Sequence, residues 1–462
     1  MTAATGWWLS DERAGMVRLE DPSRELSIWL THNTAADRAA AIAAAWGQVR
    51  PDFALAVAQA EDRPGRDGWD EMGQVVYVTP SAESRLVVAL ALRHGTTWQV
   101  ALLDGTQAAF GRRGAQLGAT LESLRLPDMA KESFAGRPIK LDAERLAAFD
   151  AFVEEARVLA GVPGLAVAVV SRDRVLLAKG HGVRALGAKA AVTPSTRFMI
   201  GSTTKSLTTL LMAALVDRGA LTWDTPLTAV LPDFALGDAA TTAAVTLRHT
   251  VCACTGMPRQ DLEFIFEYAG WTPERRLASM KAMTPTTGFG ETFQYSNLMV
   301  AAGGFAAGRA ASAKGALDVA YGRALATYVL GPLGMKATAL TLATGKRKDA
   351  AAPHAQDLAR AYRRIKLTDE GAVEAVGPAG GAWSTVEDLG RYVQLELRGG
   401  ADARGKVIVS PAGIAARRAP QVKIGAHSAY GLGLFLDDEL GVAVVGHGLA
   451  GVVRGLPTAL AR

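Results

Sequence analysis

The chain has 462 residues, a formal net charge of +5, 49% hydrophobic and 21% charged residues, and two cysteines. That composition excludes disordered, collagen-like and disulfide-scaffold proteins, and at about 150 residues per domain the length supplies roughly three domains' worth of chain. No run approaches ~18 consecutive apolar residues, the longest candidate, Val162–Val170, being strand length and carrying Pro163 and Gly164. No membrane span is therefore expected.

The opening residues, MTAATGWWLSDERAG, lack a basic n-region, an apolar h-region and a small-residue cleavage site. The expectation for the chain as given is a cytoplasmic protein, or a periplasmic one if a leader lies outside it. Leu26–Leu30 and Gln74–Val78 are short, β-branched and aromatic, and Arg85–Arg93 with Trp98–Leu103 reads as a strand pair turning at His94-Gly95. Ala35–Val49 is a predicted helix with Asn33-Thr34 as its cap, and Gly114–Leu124 is a second. Residues 1–135 thus read as a small α+β domain with Trp7, Trp8, Trp29 and Trp98 as candidate core. Arg125–Lys140, with two prolines and a glycine, reads as a linker.

Residues 136–462 form the second predicted domain. Leu141–Leu159 has Leu146, Phe149 and Val153 at helical spacing; Gly164–Val170 and Arg174–Lys179 read as strands joined by Ser171-Arg172-Asp173. Thr203–Arg398 is helix-rich, and strands return at Gly431–Leu436 and Gly441–Val445. Strands from both ends with helices inserted between them give an α/β or α+β arrangement. Lys346-Arg347-Lys348, followed at once by Asp349 and without interleaved aromatics, reads as a solvated loop, so no nucleic-acid partner is expected. Cys252 and Cys254 are too close for a relaxed bridge and lack zinc-site spacing, so they read as reduced, buried thiols. Neither the histidines His32, His94, His181, His249, His354 and His427 nor Gly431-Leu432-Gly433 suggests a metal or cofactor site.

Three short segments carry chemistry. Gly201-Ser202-Thr203-Thr204-Lys205 opens a helix whose Leu207, Leu210, Leu211, Ala214 and Leu215 share a face, with Gly219 as its stop. Three residues are nearly one turn, so Ser202 and Lys205 lie side by side. A serine needs a neighbouring base to become nucleophilic. The helix dipole and burial both favour the neutral amine that could serve as that base. The Ser202 N–H, free at a helix start, offers one oxyanion donor. The second segment is Tyr295-Ser296-Asn297, where a tyrosine beside a lysine can accept a proton and an amide can hold both lysine and substrate. The third is Gly446-His447-Gly448, a histidine donor at a strand end next to backbone that a substrate can approach closely. Taken singly, these fit equally a capped solvent-facing helix start, a packed tyrosine and a structural loop histidine.

In the order Ser-x-x-Lys, Tyr-x-Asn, His-Gly, the segments resemble the serine β-lactamase and penicillin-binding protein superfamily, in its class C-like branch of esterases, D-amino-acid peptidases, β-lactamases and linear microcystin peptidases. Arg197–Ser202, Val245–His249, Thr255–Pro258, Gly331–Met335 and Pro378–Gly381 with Ser384-Thr385 look like its recurring segments, so the resemblance covers Leu141–Gly448. It implies an antiparallel sheet flanked by helices plus an all-helical subdomain. It also implies an acyl-enzyme on Ser202 with Lys205 and Tyr295 exchanging the proton, Asn297 orienting lysine and substrate, and the His447-Gly448 strand standing where related enzymes have Lys-Thr-Gly. The expected activity is hydrolysis of a small ester, amide or peptide bond, without cofactor or metal, on a small molecule or short peptide such as a linearised cyclic one. The oligomeric state stays open. A catalytically impaired penicillin-binding-type receptor and a true β-lactamase are the alternatives. The chain ends 15 residues after His447, where the family continues through two strands and a long helix, so the resemblance implies a truncated domain with weakened activity.

Overall fold

The structure is a computed structural model describing residues 7–13, 15–65, 68–126, 129, 140–259, 270–311, 314–357, 361–425, 427–437 and 442–444. It divides into two compact units, one of N-terminal residues up to Gly136 together with Lys423–Ser428, the other of Arg137–Val422 with Ala429–Asp437.

In the first unit, β1 (Trp8–Arg13), β2 (Met16–Glu20), β3 (Leu26–Asn33), β4 (Val57–Pro64), β5 (Glu71–Tyr77), β6 (Arg85–His94) and β7 (Thr97–Thr106) form an antiparallel sheet ordered β1-β2-β3-β7-β6-β5-β4. Side chains alternate across it. Val87, Ala89, Ala91, Trp98, Val100 and Leu102 pack on one face with Ala41, Ile42, Ala45 and Trp46 of helix α1 (Arg38–Val49). Ile28, Leu30, Val88, Ala101 and Leu103 pack on the other with Ala109 and Leu117 of helix α2 (Gln107–Glu122). Helix α1 starts later than predicted because Asp37 caps it, accepting from Ala40 N, while Asn33 spends its amide on Ala35 and Ala41. Helix α2 starts seven residues before the predicted Gly114, capped by Thr106. Its glycines lower helix propensity, and burial of Ala109, Arg113 and Leu117 overrides that. Trp7 and Trp98 are core residues as expected, but Trp8 is 56% exposed because successive residues of an extended chain face opposite sides; Trp46 and Trp69 are buried.

The second unit mixes helices with antiparallel strands. Helix α3 (Ala143–Leu159), capped by Asp142, precedes the β8 (Gly164–Val170) and β9 (Val175–Gly182) hairpin. Gly201–Thr203 makes one 3-10 turn and runs into helix α4 (Thr204–Val216). Sequence spacing gave α4 one apolar face, yet every residue from Thr204 to Leu215 is buried. Its polar side chains are satisfied internally: Thr208 bonds Tyr321 Oη and Pro378 O, each at 2.7 Å, and Thr209 accepts from Arg417 Nε at 3.2 Å. The predicted strand Gly431–Leu436 is instead two strands, Ser428–Tyr430 and Phe435–Asp437, around a turn with Gly433 at φ +73°. Leu432 and Leu434 are buried there, and Leu432 N and Gly433 N reach Arg417 O and Val251 O.

Arg417, fully buried on the Pro411–Arg418 helix, ties α4 to its surroundings by donating to Ser206 O at 2.9 Å, Tyr392 Oη at 3.0 Å and the Glu396 carboxylate. Burial alone would raise the Glu396 pKa, but Arg417, Arg418 and Tyr392 outweigh it and hold the carboxyl below its ordinary value. Arg417→Ala, which strands a buried carboxylate, is predicted to cost about 3–5 kcal/mol in urea unfolding. The ion pair's contribution is present above an ordinary glutamate pKa of about 4.3 and is lost as pH falls through the lower folded value. Glu396→Gln is predicted to flatten the acid side of the stability–pH curve.

Candidate active site

The candidate site begins at Gly201, whose φ of +50° a side chain would strain. It is buried, and the strand Phe198–Met199 before it pairs antiparallel with Trp383–Ser384. Ile200 N donates to Ala382 O at 2.9 Å, and Ala382 N returns to Thr204 Oγ1 at 3.1 Å. These bonds fix the nucleophile turn against the Pro378–Ser384 segment. Ser202 therefore sits in the first turn of a helix, where backbone N–H groups have no carbonyl one turn back to bind.

Lys205, one turn on, is 1% exposed. Its Nζ donates to Ala379 O at 2.6 Å and Asn297 Oδ1 at 2.7 Å and lies 3.1 Å from Ser202 Oγ. The first two partners only accept, so they take two N–H bonds whether the amine is charged or neutral. Ser202 Oγ can then meet either the third N–H or a lone pair. Tyr295 Oη donates to the same Ser202 Oγ at 2.7 Å, and Lys205 Nζ lies 4.6 Å from the centre of the Tyr295 ring. Ser202, Lys205, Tyr295 and Asn297 thus converge, and the solvent-facing reading of this helix start fails. His447 and Gly448 lie outside the described residues.

Asn297 reaches Lys205 because the Asn297–Ala311 helix packs unusually close to its neighbours. A Cβ on Gly303 would lie 2.0 Å from Thr250 Oγ1, on Gly304 2.3 Å from Pro378 Cβ, and on Gly308 2.6 Å from Tyr321 N. Gly304 in particular lets Pro378 settle so that the next carbonyl, Ala379 O, faces Lys205. Sequence reading singled out the Pro378–Gly381 segment but not the carbonyl's role, nor the three glycines, whose spacing was the available signal.

The cysteines depart from expectation. Cys252 and Cys254 form a disulfide with Cα atoms 5.1 Å apart, inside the usual range. Ala253 between them takes φ +52°, which folds the chain back on itself. The bridged turn is tied to the segment leading to Tyr295: Gln294 N donates to Ala253 O at 2.8 Å and Gly290 N to Cys254 O at 2.7 Å. His249 is structural, its Nδ1 accepting from Thr246 N at 3.2 Å as a helix cap, and burial lowers its pKa. His181 lies between Asp150 at 3.0 Å and Glu154 at 3.2 Å. Among the described residues, no group of three or more His, Cys, Asp or Glu side chains is placed to hold a metal, and no helix is long and apolar enough to cross a membrane.

Comparison with known proteins agrees with this geometry. Residues 149–455 match the Beta-lactamase family. The chain is similar to the unguisins hydrolase ungD' of Aspergillus campestris, 29% identical over 317 residues, which cover 65% of this chain and 56% of that protein. Among solved structures it is similar to an octameric penicillin-binding protein homologue from Pyrococcus abyssi, at 26% identity, TM-score 0.53, and coverage of 63% of this chain and 64% of that one. A D-stereospecific amidohydrolase from a Streptomyces species shares the fold at 22% identity and TM-score 0.53, over 66% of this chain and 88% of that one. The chain thus spans little more than half the length of the first of these relatives.

Gly304→Ala is predicted to displace Pro378 and Ala379 O from Lys205. The expected result is about 1–3 kcal/mol lost in unfolding, with a slower reaction of Ser202 toward a fluorophosphonate.

Proposed function

The chain belongs to the Beta-lactamase family, and we propose that it is a serine hydrolase that cleaves a small ester, amide or peptide bond through an acyl-enzyme on Ser202. The observation that carries this reading is the position of Ser202 Oγ, 3.1 Å from a buried lysine amine and 2.7 Å from a phenol. A serine hydroxyl is a weak nucleophile alone and a strong one when a neighbouring group removes its proton in the transition state.

In the proposed reaction, Ser202 Oγ attacks the substrate carbonyl as its proton passes into the Tyr295–Lys205 pair. The Ser202 N–H faces the oxygen on which negative charge develops. Collapse of the tetrahedral intermediate breaks the bond to the leaving group, which takes the stored proton. Water repeats the sequence to release the acyl group. Asn297 holds Lys205 in place while its amide N–H₂ can hydrogen-bond a substrate carbonyl. His447 and Gly448 are proposed for the far side of the substrate, as the family resemblance implies.

A short peptide or other small amide is the proposed substrate class, supported by the similarity to an unguisins hydrolase and to the fold of an amidohydrolase. A small ester is the simplest surrogate. Ser202→Ala is predicted to abolish both fluorophosphonate labelling and p-nitrophenyl ester turnover, and Tyr295→Phe to lower turnover about 10²–10⁴-fold while leaving the protein folded. Labelling without acyl release would identify a receptor rather than a hydrolase. Rapid turnover of a penicillin in preference to esters and peptides would identify a β-lactamase.

A further inference from the structure

We propose that the exposed guanidinium of Arg259 acts through Tyr295, holding its side chain as the phenolate that takes the Ser202 proton, and so makes Tyr295 rather than Lys205 the general base. This rests on the serine-hydrolase reading of the same site. Arg259 is a positioning residue: its guanidinium carbon lies 5.2 Å from the centre of the Tyr295 ring, while Lys205 Nζ lies 4.6 Å from the same point. Two cations therefore bear on one phenol. A cation over an aromatic ring is attracted to the neutral ring and more strongly to the anion, so each lowers the free energy of the phenolate relative to the phenol.

The pairing is built into the fold. Gly256 takes φ +70°, and a Cβ there would lie 2.1 Å from Thr287 O. Thr286 N donates to Gly256 O at 2.8 Å, and two further backbone bonds join Ala253 and Cys254 to Gln294 and Gly290. The strap that ends in Arg259 is thus hydrogen-bonded to the loop that ends in Tyr295, so the guanidinium and the phenol are placed by one piece of structure. Other groups facing Tyr295 do not oppose this effect. Tyr430, from the strand Ser428–Tyr430, lies 6.5 Å away ring to ring, and burial keeps its phenol neutral. His249, which lines a small cavity together with Tyr295 and Tyr430, is pushed toward its neutral form by burial. Phe293, at 6.4 Å, is apolar.

With the phenolate in place, the proton resides on Lys205, whose ammonium has Ala379 O, Asn297 Oδ1 and Ser202 Oγ as acceptors. Ser202 then donates its own hydrogen to the Tyr295 oxygen across the 2.7 Å contact. On attack, the Oγ–carbon bond forms, the Ser202 proton moves to Tyr295, and the carbonyl π electrons move to the carbonyl oxygen. On collapse, the bond to the leaving group breaks and Tyr295 returns the proton to that group. Lys205 keeps its proton throughout.

The test is kcat/KM against pH for an uncharged p-nitrophenyl ester with the full chain, its Arg259→Ala and Arg259→Lys variants, and Ser202→Ala as the control for the reaction itself. Arg259→Ala is expected to move the acid limb upward by about 0.5–1 pH unit, lowering the rate about three- to tenfold on that limb, with KM and the alkaline plateau unchanged. Arg259→Lys is expected to restore most of the loss. A rise in KM with an unmoved acid limb would overturn the proposal and make Arg259 a substrate contact. Carbon-13 NMR of ζ-labelled tyrosine, with Tyr295→Phe for assignment, reads the phenol directly and needs no turnover. The Tyr295 signal is expected to titrate higher in Arg259→Ala, and an unchanged titration would overturn the proposal. A parent chain without Ser202-dependent turnover would instead defeat the hydrolase reading, leaving the phenol titration to decide the role of Arg259.

Discussion

A lysine amine buried to 1% exposure is the constraint around which the second unit is arranged. An ammonium or amine removed from water is costly unless its hydrogen-bonding capacity is met. Lys205 meets it with acceptors from three parts of the chain: its own first turn, the start of the Asn297–Ala311 helix, and the Pro378–Gly381 segment. Each must come within hydrogen-bond distance of one nitrogen, and the glycine contacts at Gly303, Gly304 and Gly308 are what allow that approach. The geometry that would activate Ser202 and the packing that holds the unit together are therefore the same set of contacts.

A second buried cation holds the same helix from another side. Arg417 binds Ser206 O and Thr209 on α4 and is neutralised by Glu396. Lys205 and Arg417 differ in what they offer. The Arg417 network is closed by a carboxylate and two further acceptors, which suits a rigid support. The Lys205 network includes Ser202 and Tyr295, groups that both give and take protons, which suits a reaction. A helix buried on every side while carrying Ser, Thr and Lys is stable only with both networks complete.

Much of this site is legible in sequence because its parts are local. Ser202 and Lys205 are one helical turn apart, and Tyr295 and Asn297 two residues apart, so each pair can be recognised without knowing the fold. The convergence of the pairs, Ala379 O and Arg259 depend on segments meeting in space, which spacing does not encode. The polar side of α4 read as solvent-facing because Thr and Ser hydroxyls return their hydrogen bonds to carbonyls inside the core. The Cys252–Cys254 bridge was missed because it requires the positive φ of Ala253, a conformation sequence gives no reason to expect of alanine. In the first unit the β6–β7 hairpin was plain from alternation and His94-Gly95, whereas the start of α2 was hidden by glycines that tertiary packing overrides.

The account's central claim is that Ser202 becomes covalently acylated and is then freed. Acid-quenching the full chain during reaction with a p-nitrophenyl ester, followed by peptide mass mapping over time, tests it directly. The account predicts one acyl group on the peptide containing Ser202, appearing with the burst of p-nitrophenol and disappearing as substrate is exhausted. An acyl group confined to other residues, or ester hydrolysis with no acyl group ever found on Ser202, would contradict it.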